Sequence, residues 1–306
     1  MSPKAPGQPP IDKARARRSF ERAAPDYDRH AFLQREIADR ILERLDYVRI
    51  DPKWILDLGC GTGYALDGLQ RRYRGARTLA LDFAQGMLLK ARRRGGWLRR
   101  PLCLCADAER LPLAEGTVDL ILSASTLQWC NDLDRTFAEC LRVLRPGGLL
   151  MFATYGPDTL KELRDAWSAV DGATHVSPFV DMHDIGDALM RAHFADPVMD
   201  TERLTLTYGR LADLMADLKS IGAGNATDRR PRGLTGRGRL AALESAYEQY
   251  RQGGRLPASW ELVYGIAWVP QQKPVAGGVA VPLSALTRRS GAPGAPAGTA
   301  AGRGPR

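Results

Sequence analysis

The chain has 306 residues, 44% hydrophobic and 26% charged, a balance that supports a packed core and excludes a disordered or collagen-like chain. Its formal net charge of +9 sits in the ends, with +5 in residues 271–306 and +4 in residues 1–20. Residues 21–270 are therefore neutral, and a nucleic-acid partner is not expected.

Residues 1–11 are Pro-rich and are expected to form a flexible N-terminus, and the Pro-, Gly- and Ala-rich residues 271–306 a disordered tail. Residues 12–270 between them read as a single domain. A helical segment over 12–46 comes first, followed by a core over 54–155 and a substrate-side region over 156–270. In the core, strand-like runs at 54–58, 77–82, 102–106, 118–125 and 148–155 alternate with segments of helical periodicity at 63–73, 84–94 and 132–144. That alternation predicts an α/β fold with a mostly parallel sheet, helices on both faces and ligands beyond the carboxyl ends of the strands. Past Tyr155 helices predominate, interrupted by strands at 203–208 and 260–269, and the two late strands fit an antiparallel edge.

No apolar run reaches the roughly 20 residues of a membrane span and no secretory h-region is visible, so a cytoplasmic protein with no membrane partner is expected. Five cysteines, an odd number, do not suggest a disulfide framework. Cys103 and Cys105 lack a second cluster to complete a metal site and read as buried strand thiols. His183, Asp184 and Asp187 read as the start of a helix, and no metal is expected.

The stretch ILDLGCGTGYAL carries Gly59, Gly61 and Gly63 behind the first strand. A dinucleotide fingerprint needs a third glycine at Tyr64 or Leu66, and no Gly-Lys-Ser/Thr follows for a phosphate loop. A ligand with cationic groups in place of phosphates would favour Asp57, which points to S-adenosylmethionine. Asp82, closing the second strand, could take both ribose hydroxyls, and Asp107, after the third, the adenine amino group. Phe83 and Met87 could pack on the adenine ring.

The segments LDLGCGTG, LALD, ADAERLPLAEGTVDLILSA and LRVLRPGG resemble the class I S-adenosylmethionine-dependent methyltransferases over residues 54–155. That resemblance implies a Rossmann-like seven-stranded sheet with an antiparallel last strand, and it adds Ala108 and Ser123 to the cofactor-binding set. The flanking FERAAPDYDRHAFLQREIADRIL, GPDTLKELRDAW, PFVDMHDIGDAL and PRGLTGR resemble the malonyl-acyl-carrier-protein O-methyltransferases of biotin synthesis over about residues 12–270. The implied reaction methylates the free carboxylate of a malonyl thioester. A carboxylate with a pKa near ~4 is already a nucleophile, so no general base is expected. Tyr27, Gln128 and Trp129 are candidates for positioning the substrate, and Arg164 for gripping the carboxylate that distinguishes malonyl from acetyl. Arg229, Arg230, Arg232, Arg237 and Arg239 could steer an acidic carrier protein. Two other classes share some of these motifs: respiratory complex I assembly factors that hydroxylate a protein arginine, and methyltransferases acting on a quinone or a free acid.

Overall fold

The computed structural model describes residues 9–228, 233 and 235–271. Three helices precede the first strand: α1 (Lys13–Ala23), α2 (Tyr27–His30) and α3 (Phe32–Arg44). The core then runs β1 (Trp54–Leu58), α4 (Tyr64–Arg72), β2 (Arg77–Asp82), α5 (Gln85–Ala91), β3 (Leu102–Cys105), β4 (Val118–Ala124), α6 (Leu133–Val143) and β5 (Leu144–Tyr155). It continues through α7 (Lys161–Ser168), α8 (Met182–Arg191), β6 (Ala195–Tyr208), α9 (Leu211–Ser220), α10 (Arg237–Glu248) and β7 (Leu256–Trp268).

The seven strands form one sheet in the order β3-β2-β1-β4-β5-β7-β6. Strands β1 to β5 pair in parallel, and β7 lies antiparallel between β5 and β6. The continuous apolar character of β1 and β4 follows from cover on both faces. On one face Ile37, Ile41 and Leu69 join Trp167 and Tyr247 in the core; on the other Phe137 and Cys140 join Ile185 and Leu189. The chain leaves β1 towards β2 and returns to β4 on the other side, so the loops after β1 and β4 diverge. This switch point opens the crevice in which ligands of such sheets bind.

Several elements differ from the sequence reading. Strand β6 begins at Ala195 rather than residue 203, because as an edge strand it exposes alternate positions and tolerates Asp196, Pro197 and Asp200. Cys105 is exposed on the other edge strand, β3, so the expectation of two buried thiols there was wrong. Ile11, expected in a free arm, is buried and forms an antiparallel bridge with Thr227. Its N–H donates to Asn131 Oδ1 at 2.7 Å. Helix α8 is capped by Asp181, whose carboxylate accepts the His183 N–H at 2.8 Å, so the capping residue is Asp181 and not Asp184. No helix among the described residues is long and apolar enough to cross a membrane.

Candidate functional site

The crevice begins at the loop between β1 and α4, where three glycines adopt left-handed backbones for different reasons. A Cβ on Gly59 (φ +73°) would lie 1.9 Å from Thr126 Oγ1, so this glycine permits contact with the loop after β4. A Cβ on Gly63 (φ +81°) would meet Leu66 and Ala91, which makes it a packing position. At Gly61 (φ +52°) a Cβ would meet nothing within 4 Å. It is Gly61 that leaves room for a ligand to approach the backbone.

A cavity of about 980 Å³, partly open to solvent, lies over this loop. Of the expected cofactor residues, Asp57, Gly59, Gly61, Asp82, Phe83, Met87, Asp107 and Ala108 line it. Gly63 and Ser123 do not. Ser123 is fully buried within the sheet and donates to the Leu58 carbonyl at 2.9 Å, so its placement among the cofactor contacts is corrected. The neighbouring residue that does face the cavity is Ser125, a non-glycine in the left-handed region (φ 59°). Sequence reasoning missed it, since serine carries no signal for positive φ.

Asp57 is 2% exposed, and its Oδ2 has no hydrogen-bond partner. Burial, with the adjacent Asp82, pushes its carboxyl up to about 7. Asp82 accepts the Gly61 N–H at 3.0 Å and the Ala84 N–H at 2.8 Å. Burial raises its carboxyl to about 6, against the pull of those backbone donors. Two buried acids side by side, one with a free oxygen, form a site that favours a cation.

The N-terminal helices close this cavity from above. Lys13 contacts both Asp107 oxygens, at 2.7 and 2.6 Å, and Glu109 at 2.7 Å, a clasp not foreseen from the sequence. Glu21 accepts the Gln85 and Gly86 N–H groups, both at 2.7 Å, and so caps α5. A Cβ on Gly86 would lie 2.6 Å from Glu21 Oε2 and 3.2 Å from Ala24 Cβ, so α1 packs close against this turn. The Tyr27 phenol is pushed strongly up by burial, and its side chain lines the cavity.

A second, larger cavity of about 2750 Å³, also partly open, adjoins the first. The two share Phe20, Tyr27, Gln34, Ser125 and Trp129. Its far wall includes the apolar Leu160, Leu163, Trp167, Val176, Phe179 and Trp260. Trp129 therefore stands at the junction, in edge contact with Phe20 at 5.1 Å. Gln128 lines only the larger side and braces the loop: its Nε2 donates to the Ser125 carbonyl at 2.7 Å and its Oε1 accepts from Thr154 at 3.1 Å. Arg164 lines neither cavity. Its Nη2 donates to the carbonyls of Pro157 (2.6 Å) and Thr159 (3.0 Å), so it staples a turn away from both cavities. Arg237 and Arg239 are exposed at the start of α10, whereas Arg229, Arg230 and Arg232 lie outside the described residues.

A family model described as a methyltransferase domain matches residues 56–152. Over 270 residues the chain is 53% identical to a malonyl-acyl-carrier-protein O-methyltransferase of Methylovorus sp. (strain MP688), covering 86% of this chain and 91% of the relative. The protein of the same name from Laribacter hongkongensis (strain HLHK9) is 54% identical over 271 residues, with the same coverage of 86% and 91%. The fold is also similar to the solved YcgJ protein of Bacillus subtilis, with a TM-score of 0.54, 13% identity, and coverage of 78% of this chain and 99% of that one.

Proposed function

Because the chain belongs to the malonyl-acyl-carrier-protein O-methyltransferase family, we infer that the two joined cavities divide its reaction, the first taking S-adenosylmethionine and the second the malonyl arm. The protein is an S-adenosylmethionine-dependent methyltransferase that esterifies the free carboxylate of malonyl-acyl carrier protein on the way to pimeloyl and biotin. When bound, S-adenosylmethionine supplies a methyl on a sulfonium, which a carboxylate oxygen takes as the carbon–sulfur bond breaks to leave neutral S-adenosylhomocysteine.

The observation that carries the assignment of cavities is the unpartnered Oδ2 of Asp57 beside the open side of Gly61. A buried carboxylate in that position suits the ammonium of the cofactor. The remaining lone pairs of Asp82 suit the ribose hydroxyls, and Phe83, Met87 and Ala108 the adenine. Asp107 would share its carboxylate between Lys13 and the adenine amino group. Tyr27 and Trp129 wall off the junction from water, and Gln128, on the wall of the larger cavity, braces the Ser125 loop. With an ionised nucleophile supplied by the substrate, the protein's tasks are orientation and the exclusion of water.

The test is methyl transfer to malonyl-acyl carrier protein, malonyl-CoA and free malonate, together with rescue of a biotin auxotroph. Transfer to the carrier substrate and rescue are expected; no transfer to any of the three would refute the reading. Carrier docking through Arg229, Arg230, Arg232, Arg237 and Arg239 is supported by the acidity of carrier proteins and the exposure of Arg237 and Arg239.

A further inference from the structure

We propose that the malonyl carboxylate is held by three uncharged donors, the Ser125 hydroxyl, the Tyr155 phenol and the Trp260 indole N–H, and by no arginine. This rests on the assignment of the larger cavity to the malonyl arm. Ser125 Oγ and Trp260 Nε1 are both buried and have no hydrogen-bond partner. Buried polar atoms are costly to leave unpaired; of the three on this cavity, Gln34 Oε1 is an acceptor, and the two donors, Ser125 Oγ and Trp260 Nε1, mark a place where an acceptor ligand completes the bonding. Tyr155 is buried, its oxygen accepts a long 3.4 Å bond from Gln34 Nε2, and the Ser125 hydroxyl lies beside it, so the two hydroxyls stand next to each other at the cavity.

The sheet brings the three together. Ser125 follows β4, Tyr155 ends β5, and Trp260 lies on β7, which pairs with β5 through Tyr155 and Leu262. The Tyr155 and Trp260 rings are 5.3 Å apart, and all three residues line the larger cavity. Ser125 alone of the three also lines the cofactor cavity, so it marks the end of the cradle nearest the methyl donor. Its backbone is held there from both sides, the N–H donating to Ala153 O at 2.8 Å and the carbonyl accepting from Gln128.

None of the five residues shared by the cavities is charged. The cations nearby are otherwise placed: Lys13 on Asp107 and Glu109, Arg35 on the Asp28 carbonyl, and His175 on Asp171. Arg15, Arg22, His30 and Lys219 border the larger cavity but are exposed. The chemistry favours this arrangement. A bidentate guanidinium would engage the lone pairs of both carboxylate oxygens and lower their nucleophilicity, whereas neutral donors can hold one oxygen and leave the other to react. The same donors would be left unpaired against the methyl of an acetyl group, which discriminates against that thioester.

Ser125→Ala, Tyr155→Phe and Trp260→Phe test the cradle. Binding of malonyl- and acetyl-carrier protein is measured on the enzyme loaded with S-adenosylhomocysteine, whose own affinity reports an intact fold. Each variant is expected to bind the malonyl form about 10- to 100-fold more weakly, with acetyl-carrier and S-adenosylhomocysteine affinities within about twofold of wild type. Equal weakening of the malonyl and acetyl forms would assign the donors to the thioester or the pantetheine arm and overturn the proposal. So would unchanged malonyl affinity. Trp260→Phe, which keeps a ring in place, decides if another variant loses S-adenosylhomocysteine. A wild-type enzyme that neither methylates malonyl-carrier protein nor prefers it to the acetyl form would instead refute the functional reading.

Discussion

At Asp57 the coupling between burial and binding can be measured. Its carboxyl is pushed up to about 7, so the cofactor-free chain takes up a proton there as the pH falls through neutrality. A cationic ligand needs the carboxylate, so binding releases that proton and weakens as pH falls, by up to about tenfold per unit. Titration calorimetry with S-adenosylhomocysteine between pH 8 and 6 should show this slope, and Asp57→Asn should bind weakly with the slope gone; a slope retained in the variant would place the titration elsewhere. The stability consequence has the opposite sense. A folded carboxyl raised above its unfolded value of about 4 contributes stability at low pH that is lost as pH rises through 7. Asp57→Asn should therefore raise the melting temperature of the cofactor-free protein at pH 8 and leave it little changed at pH 4. The glycines separate in the same way. Gly59→Ala would force a methyl to within 1.9 Å of Thr126 and should impair folding. Gly61→Ala meets open space, costs about 1 kcal/mol for its left-handed backbone, and should fold while binding cofactor about tenfold or more weakly. Equal thermal stability of the two variants would contradict this division.

Helix α1 is attached by polar contacts at its two ends, Lys13 to Asp107 and Glu109, and Glu21 to the first N–H groups of α5. Glu21→Ala should remove about 1 kcal/mol of capping and raise hydrogen exchange over residues 13–23, with little change in the sheet. Exchange unchanged over α1 would mean that apolar packing around Phe20 suffices. The central strands were legible because burial on both faces imposes unbroken apolar runs, and β1 and β2 fall where the sequence puts them. The first half of β6 was not, since an edge strand needs few apolar residues and Asp196, at φ 48°, reads as a turn. The pairing of Ile11 with Thr227 was equally hidden, because a single bridge between residues so distant leaves no local pattern.

At the scale of the molecule, the two cavities share only uncharged side chains, and on the proposed assignment the reacting carboxylate is supplied by the substrate already ionised. At saturating S-adenosylmethionine, kcat should be level from pH 7 to 9, and a rise with a slope of one would reveal a general base among the residues here assigned to positioning. Docking of an acidic carrier protein to exposed arginines is a long-range effect that salt screens. Arg237→Glu combined with Arg239→Glu should raise KM for malonyl-carrier protein several-fold at low salt and less at high salt, while KM for malonyl-CoA stays constant. Equal KM values at low salt would move the docking surface elsewhere.

The sequence by itself determined the parallel core, the failed dinucleotide pattern and the acids that end the strands, because each is written within a few residues of one element. Asp57, Asp82, Phe83, Met87, Asp107 and Ala108 all line the first cavity for that reason. Tertiary structure decided what lies between distant elements. It buried Ser123 in the sheet, turned Ser125 into the cavity, set one nitrogen of Arg164 on Pro157 and Thr159, and set Lys13 on Asp107. The physical reason is that a side chain's partner is chosen by the fold, and a buried polar atom left without one, as on Asp57, Ser125 and Trp260, is visible only after every other pair has formed.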